Sequence, residues 1–260
     1  MFKTLYPELN VKPITIKIFN ENKNGMPVVI APGFFTDGDE EWVEKLIKII
    51  DSPIVFVQWR SSNFSKLMME FIPQIITSAV LPYKAAMIPL SIGKGFFRKW
   101  RECSELANQV GERLANFLND VWDKDEKALF IGHSLGVRII TEAMKNLEYS
   151  NVFASISIAG AILKDRYEDN IMQARCIDGT MHVNLYSDSD YVLQYLYRVG
   201  EVDLKNKPIG MTESDLSHVE NINLSLGHTS YLTSEEFLKY IAMYYREKRS
   251  EYYARCFNIN

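Results

Sequence analysis

Ala128-Leu129-Phe130-Ile131-Gly132-His133-Ser134-Leu135-Gly136-Val137-Arg138 decides how this chain is read. It opens with a short apolar run, Ala128 to Ile131, of the length and character of a buried strand. Its centre, Gly132 to Gly136, is G-x-S-x-G. Beyond it Val137, Ile140, Met144 and Leu147 recur at helical spacing. A strand, a sharp turn and a helix are the setting that lifts a serine hydroxyl out of a sheet. The turn crowds the backbone, so small residues are needed on both sides of the serine. It also puts the N–H of Leu135 at a helix N-terminus. A glycine-rich turn with a merely structural serine is the plainer alternative.

Outward from this turn the pattern repeats. Ile14 to Phe19 alternates like a half-buried strand, and Asn22 to Gly25 reads as a turn. Val28-Val29-Ile30-Ala31 is an apolar run that stops at Pro32-Gly33. Asp39 is placed to cap a helix carrying Trp42, Val43, Leu46, Ile47 and Ile50. Ile54 to Val57, Val152 to Ala159 and Met181 to Tyr186 read as further strands. Helices are expected over Glu102–Leu118 and Glu235–Tyr245. Apolar strands alternating with helices predict an α/β fold: a mostly parallel sheet covered on both faces.

The chain has 260 residues, 47% of them hydrophobic and 24% charged, which suits one globular domain over 1–260. A net charge of −4 carries no nucleic-acid footprint. Cys103, Cys176 and Cys256 are odd in number and far apart, which speaks against a disulfide framework and for a reducing compartment. Met1 to Asn10 contains Pro7 and Glu8 and no apolar core, so no Sec-type signal peptide is read and a cytoplasmic location is expected; export by other routes is left open. No Cys/His spacing suggests a metal.

Residues 61–100 break the alternation and read as an apolar insertion. From Phe64 to Trp100 they hold Phe71, Ile72, Ile75, Ile76, Val80 and Leu81 among others, interrupted by Pro73, Pro82 and Pro89. Its prolines speak against a continuous membrane span. It reads as a cap of short helices packed on the core or as a lid that meets lipid, giving peripheral membrane contact through 64–100, with a true membrane insertion as the third alternative.

A serine hydroxyl needs a base, and the base an orienting acid. On a strand–turn–helix scaffold of this type these follow in the order serine, acid, histidine. Of the four histidines, His133 lies inside the turn and is expected to pack away from Ser134, and His182 precedes the acid. His218 and His228 both follow; His228 is preferred because Leu226-Gly227-His228-Thr229-Ser230-Tyr231 runs directly into the last helix. Asp188 and Asp190 compete for the acid after the strand ending at Tyr186, and Asp190 is favoured because it directly precedes Tyr191-Val192-Leu193. Either carboxylate has a plainer role as a helix cap. Oxyanion donors are expected from the backbone N–H of Leu135 and from the loop after Ala31, where Phe34 is preferred and Phe35 is the alternate.

Several stretches together resemble one family. They are Val55-Phe56-Val57-Gln58-Trp59-Arg60-Ser61, Ile131 to Arg138, Ser157-Ile158-Ala159-Gly160-Ala161, Val183 to Arg198, Val219-Glu220-Asn221-Ile222-Asn223 and Gly227-His228-Thr229-Ser230-Tyr231. Within the α/β-hydrolase superfamily, the chain is similar to a lipase-like family known from a eukaryotic "transmembrane and coiled-coil domains" protein and long catalogued as a domain of unknown function. The resemblance implies the triad Ser134, Asp190 and His228, and so favours Asp190 over Asp188. Arg138 and Arg198 fall on family positions, where structural ion pairs are expected. The leading expectation is a serine hydrolase of carboxylic esters with no metal or organic cofactor; the preference for lipid-like esters is read from the apolar insertion, not from the resemblance. An esterase or thioesterase on a soluble substrate, and a non-catalytic binding module on the same scaffold, are the competing readings.

Overall fold

The computed structural model describes residues 2–5, 14–33, 41–59, 90–200 and 207–256. Among these, the strands are β1 (Phe2–Leu5), β2 (Ile14–Phe19), β3 (Val28–Ala31), β4 (Ile54–Trp59), β5 (Ala128–His133), β6 (Val152–Ile158), β7 (Cys176–Tyr186) and β8 (Val219–Asn223). The helices are α1 (Glu41–Leu46), α2 (Leu90–Val121), α3 (Leu135–Lys145), α4 (Lys164–Gln173), α5 (Tyr191–Gly200) and α6 (Glu235–Cys256). The strands form one eight-stranded sheet in the order β1-β2-β4-β3-β5-β6-β7-β8. It is parallel from β4 through β8, with β1 and β2 antiparallel at one side. The mostly parallel α/β sheet expected from the sequence is thus the architecture, and the chain has the α/β-hydrolase fold.

The two faces follow from strand alternation. Adjacent residues of a strand point to opposite sides. A Cβ on Gly132 would meet Gly136 and Ile140 of α3, whereas the next residue, His133, lies 5.0 Å from the Trp42 ring of α1. Trp42 in turn meets Phe237 of α6 edge-on. So α1 and α6 cover one face, and α3, with α2 and α4 packed on it, covers the other. β3, β5 and β6 lie between the layers and are buried along their whole length, which is why β3 and most of β5 are continuous apolar runs and the two serines of β6, Ser155 and Ser157, are buried.

The strand order also locates the site. From β3 the chain steps outward to β4, then crosses back to β5 on β3's other side. At such a reversal, the loops leaving the carboxyl ends of the two strands diverge and open a crevice. Here those loops begin at Pro32 after β3 and at Ser134 after β5.

Several elements run further than their sequence signal. The helix expected over Glu102–Leu118 spans Leu90–Val121 among the described residues. The end of the expected 61–100 insertion is therefore the first turns of α2; its earlier part, through residue 89, lies outside the described residues. Helix α6 extends to Cys256 rather than Tyr245. Asp39, the expected cap of α1, is outside the described residues.

Candidate active site

The serine turn is built by close approach. Ser134 has φ 54° and ψ −120°, in the left-handed region of φ that a non-glycine residue adopts only when its surroundings force it. A Cβ on Gly136 would sit 1.9 Å from the Ala31 carbonyl oxygen, so only glycine lets α3 begin this close to the end of β3. The backbone of Ser134 is held on both sides: its N–H donates to the Ile158 carbonyl at 2.9 Å, and its carbonyl accepts from Ala161 at 3.0 Å. Leu135 opens α3, where the helix itself has no carbonyl to offer its N–H.

Ser134, His228 and Asp190 come together from three separate loops. The Ser134 Oγ lies 2.9 Å from His228 Nε2. His228 Nδ1 lies 2.7 Å from Asp190 Oδ2. All three are buried; Ser134 is only 2% exposed. Asp190 uses its second oxygen as well. Its Oδ1 accepts the Leu193 N–H at 2.9 Å, capping the first turn of α5. The two readings of this carboxylate, cap and partner of a histidine, are both realised, one on each oxygen. Asp188 is exposed, and its described hydrogen bond is to the Ser189 hydroxyl at 3.3 Å. Phe34 and Phe35 lie outside the described residues. The loop that leads to them is fixed at its start: a Cβ on Gly33 would be 2.7 Å from the Ser134 Cβ, and Trp59 Nε1 donates to the Pro32 carbonyl at 3.2 Å.

The remaining histidines are distributed differently. His133 is buried against Trp42 and Tyr231, its ring 5.3 Å from that of His228. Burial, and then the neighbouring His228, pull its pKa down to about 3, so the ring stays neutral. Its Nε2–H donates to the His228 carbonyl at 3.2 Å, because a carbonyl oxygen can only accept. The sequence expectation that His133 packs away from Ser134 misses this tie to the backbone of the other histidine. His182 faces Ser155 in mid-sheet, and the His218 ring packs 5.7 Å from it. Arg138 is 4% exposed and bonds the Ala161 carbonyl and the Tyr197 phenol. The side chain of Arg198 lies outside what is described. Arg138 carries no local sequence signal of its contacts, since Ala161 and Tyr197 come from distant segments.

Chemically, a hydroxyl, an imidazole and a carboxylate in this order form a path for one proton. The imidazole can accept from the hydroxyl on one nitrogen while the carboxylate steadies the charge from the other. Among the described residues, no cluster of His, Cys, Asp or Glu is arranged to hold a metal ion, and no helix is long and apolar enough to cross a membrane.

Comparison with known proteins agrees with this fold. The chain is 32% identical over 168 residues to an uncharacterized membrane protein of Schizosaccharomyces pombe, covering 61% of this chain and 29% of that protein. It is 25% identical to a transmembrane and coiled-coil domain-containing protein of Oryza sativa, covering 87% of this chain and 38% of the rice protein. The chain thus spans well under half the length of these relatives. In structure it is similar to the esterase domain of a Rhodothermus marinus protein, with a TM-score of 0.50 and 12% identity over 96% of this chain and 99% of that one. A family model described as "Protein of unknown function (DUF726)" matches residues 44–243, and the chain belongs to that family.

Proposed function

We propose that the chain is a serine hydrolase of carboxylic esters, with lipid-like esters as its substrates. The observation that carries this reading is the continuous hydrogen-bonded path from Asp190 Oδ2 through His228 to Ser134 Oγ, at 2.7 and 2.9 Å, ending on a serine held at a strained turn. His228 takes the hydroxyl proton as Ser134 attacks the ester carbonyl. Asp190 holds the imidazole with Nε2 free to accept and stabilises the imidazolium that forms. The Leu135 N–H, with the Phe34 N–H as second donor, stabilises the tetrahedral oxyanion. His228 then protonates the leaving alcohol, and water, activated by the same histidine, releases the acid from the acyl-enzyme.

The preference for lipid-like substrates, and peripheral contact with a membrane, rest on the apolar character of residues 64–100 and on the membrane proteins among the relatives. The test is labelling with a fluorophosphonate probe, on wild type and Ser134→Ala, with and without phospholipid vesicles. Labelling that vanishes in Ser134→Ala and strengthens with vesicles is the expected result. Ser134-dependent labelling accompanied by hydrolysis of short soluble esters but not of vesicles or micellar lipid would replace the lipid preference with a soluble ester or thioester. No Ser134-dependent labelling in any condition would overturn the enzymatic reading in favour of a binding module.

A further inference from the structure

Arg138 lies one helical turn beyond Ser134 on α3, with its guanidinium buried. A buried cation is costly unless its donors are satisfied, and this one satisfies them across two separate segments. Its Nε donates to the Ala161 carbonyl at 2.6 Å, and its Nη2 donates to the Tyr197 phenol oxygen at 3.0 Å. Each contact leads back to the site by a short route. Ala161 is the residue whose own N–H holds the Ser134 carbonyl at 3.0 Å, so Arg138 grips the other side of the peptide group that follows the one gripping the serine turn. The chain reaches that position through Ala159, at φ 45°, which bends it sharply off the end of β6. Tyr197 stands on α5, whose first turn is capped by Asp190 Oδ1. Its ring is also packed edge-on against Trp100 of α2, at 6.0 Å, which fixes where its hydroxyl lies.

We infer that Arg138 is a positioning residue: it ties the acid-bearing helix α5 to the serine-bearing helix α3 and so sets the Asp190–His228–Ser134 spacing. This rests on the proposed hydrolase reading for its catalytic consequence, though not for its structural one. Asp190 fixes the N-terminal end of α5 to the site, through His228. The Arg138–Tyr197 bond adds a direct tie from further along α5 to α3, beside the packing of Tyr197 on Trp100. The guanidinium suits the task because it presents donors in two directions from one rigid plane; an ammonium gathers its three donors at a single point on a flexible stem and does not span two separated acceptors in a fixed geometry.

The variants are Arg138→Lys, which keeps the charge, and Tyr197→Phe, which keeps the ring against Trp100 and removes only the hydroxyl. Phe153→Leu, on β6 where its ring packs against Tyr252, serves as a control matched for loss of melting temperature. Two readouts are made on each intact protein. The first is the rate of Ser134 inactivation by the fluorophosphonate, with KM and kcat for p-nitrophenyl butyrate. Arg138→Lys is expected to slow inactivation and kcat by ~10-fold and Tyr197→Phe by ~3-fold, with KM within ~2-fold and the double variant no slower than Arg138→Lys alone. The second is the NMR resonance of the His228 Nδ1–H in its bond to Asp190, which needs no turnover; it should move in both variants and stay in place in Phe153→Leu. An unmoved resonance in both variants, or rates that fall only in proportion to melting temperature in all three, overturns the proposal. If the wild type shows no Ser134-dependent labelling while the resonance still responds, the positioning role stands and the hydrolase reading falls.

Discussion

Two buried serine–histidine hydrogen bonds lie among the described residues, and their difference is instructive. At the carboxyl end of the sheet, Ser134 and His228 are 2.9 Å apart; in mid-sheet, Ser155 and His182 Nδ1 are 2.7 Å apart on neighbouring strands β6 and β7. By distance alone the second pair is the tighter. What it lacks is everything around the bond. Ser155 sits in a regular strand with no strained turn and no helix N-terminus beside it. His182 is backed by the Cys176 sulfur at 3.6 Å, not by a carboxylate. Burial raises that thiol to a pKa of about 11, so it remains protonated and offers no charge to steady an imidazolium. Burial, with the nearby His218, pulls His182 down to about 3. One pair lies on a hydrogen-bonded path that continues to a carboxylate, and the other is a satisfied piece of core. A serine–histidine distance therefore identifies nothing until the third partner and the backbone around the serine are known.

The sharpest way to break this contrast is at the acid. Asp190→Asn should slow fluorophosphonate labelling of Ser134 by ~10³-fold, measured as an inactivation rate constant. The new amide can still cap α5, so urea unfolding should change little. But it can donate to His228 Nδ1, which puts the proton on Nε2 and leaves nothing to accept from the serine. A labelling rate close to wild type would place the acid elsewhere. At the other pair, Ser155→Ala should cost ~1–3 kcal/mol of stability in urea unfolding, because it orphans a buried ring nitrogen. Its labelling rate should stay within ~2-fold of wild type, the sites being separate. A large loss of labelling there would merge the two regions that the geometry separates.

The most gradual expected effect concerns pH. His133 and His182 are held neutral, with folded pKa values of about 3 against an ordinary 6.5. Below 6.5 the unfolded chain takes up protons that the folded chain refuses until about 3, so acid favours unfolding. Each histidine should then remove ~1.4 kcal/mol of stability per pH unit across that window. Stability to urea measured at pH 6 and pH 5 should show the slope, and His182→Gln should remove its share. An unchanged slope in that variant would mean that His182 takes up protons in the folded state as readily as in the unfolded one.

The sequence was most readable where structure is local. The serine turn announces itself because strand, glycines and helix are contiguous, and the glycines are there to let Gly136 pass the Ala31 carbonyl. His228 was legible from its place before the last helix. The choice between Asp188 and Asp190 was open on the residues themselves, because each has the spacing of a cap; what separates them is which oxygen faces a histidine from a loop 38 residues away. Helix α2 reads short in the sequence because Gly93 and Gly95 dilute its periodicity ahead of Glu102. Helix α4 and the edge strand β8 gave too weak a pattern to be assigned, being polar on much of their length. The sequence names Arg138 and His133 but not what they hold: their partners, Ala161, Tyr197 and the His228 carbonyl, are brought to them only by the fold.

The divided use of Asp190 bears on how such a chain would decay over evolutionary time. Ser134 can be exchanged for another small residue without unfastening any element, so a lineage released from selection for hydrolysis would be expected to lose it early. Asp190 also closes the start of α5. Its replacement by anything that cannot accept the Leu193 N–H costs ~0.5–2 kcal/mol of folding stability whether or not the protein turns over substrate. A descendant that keeps the aspartate without the serine would therefore be a protein still selected to fold, and not one still selected to react.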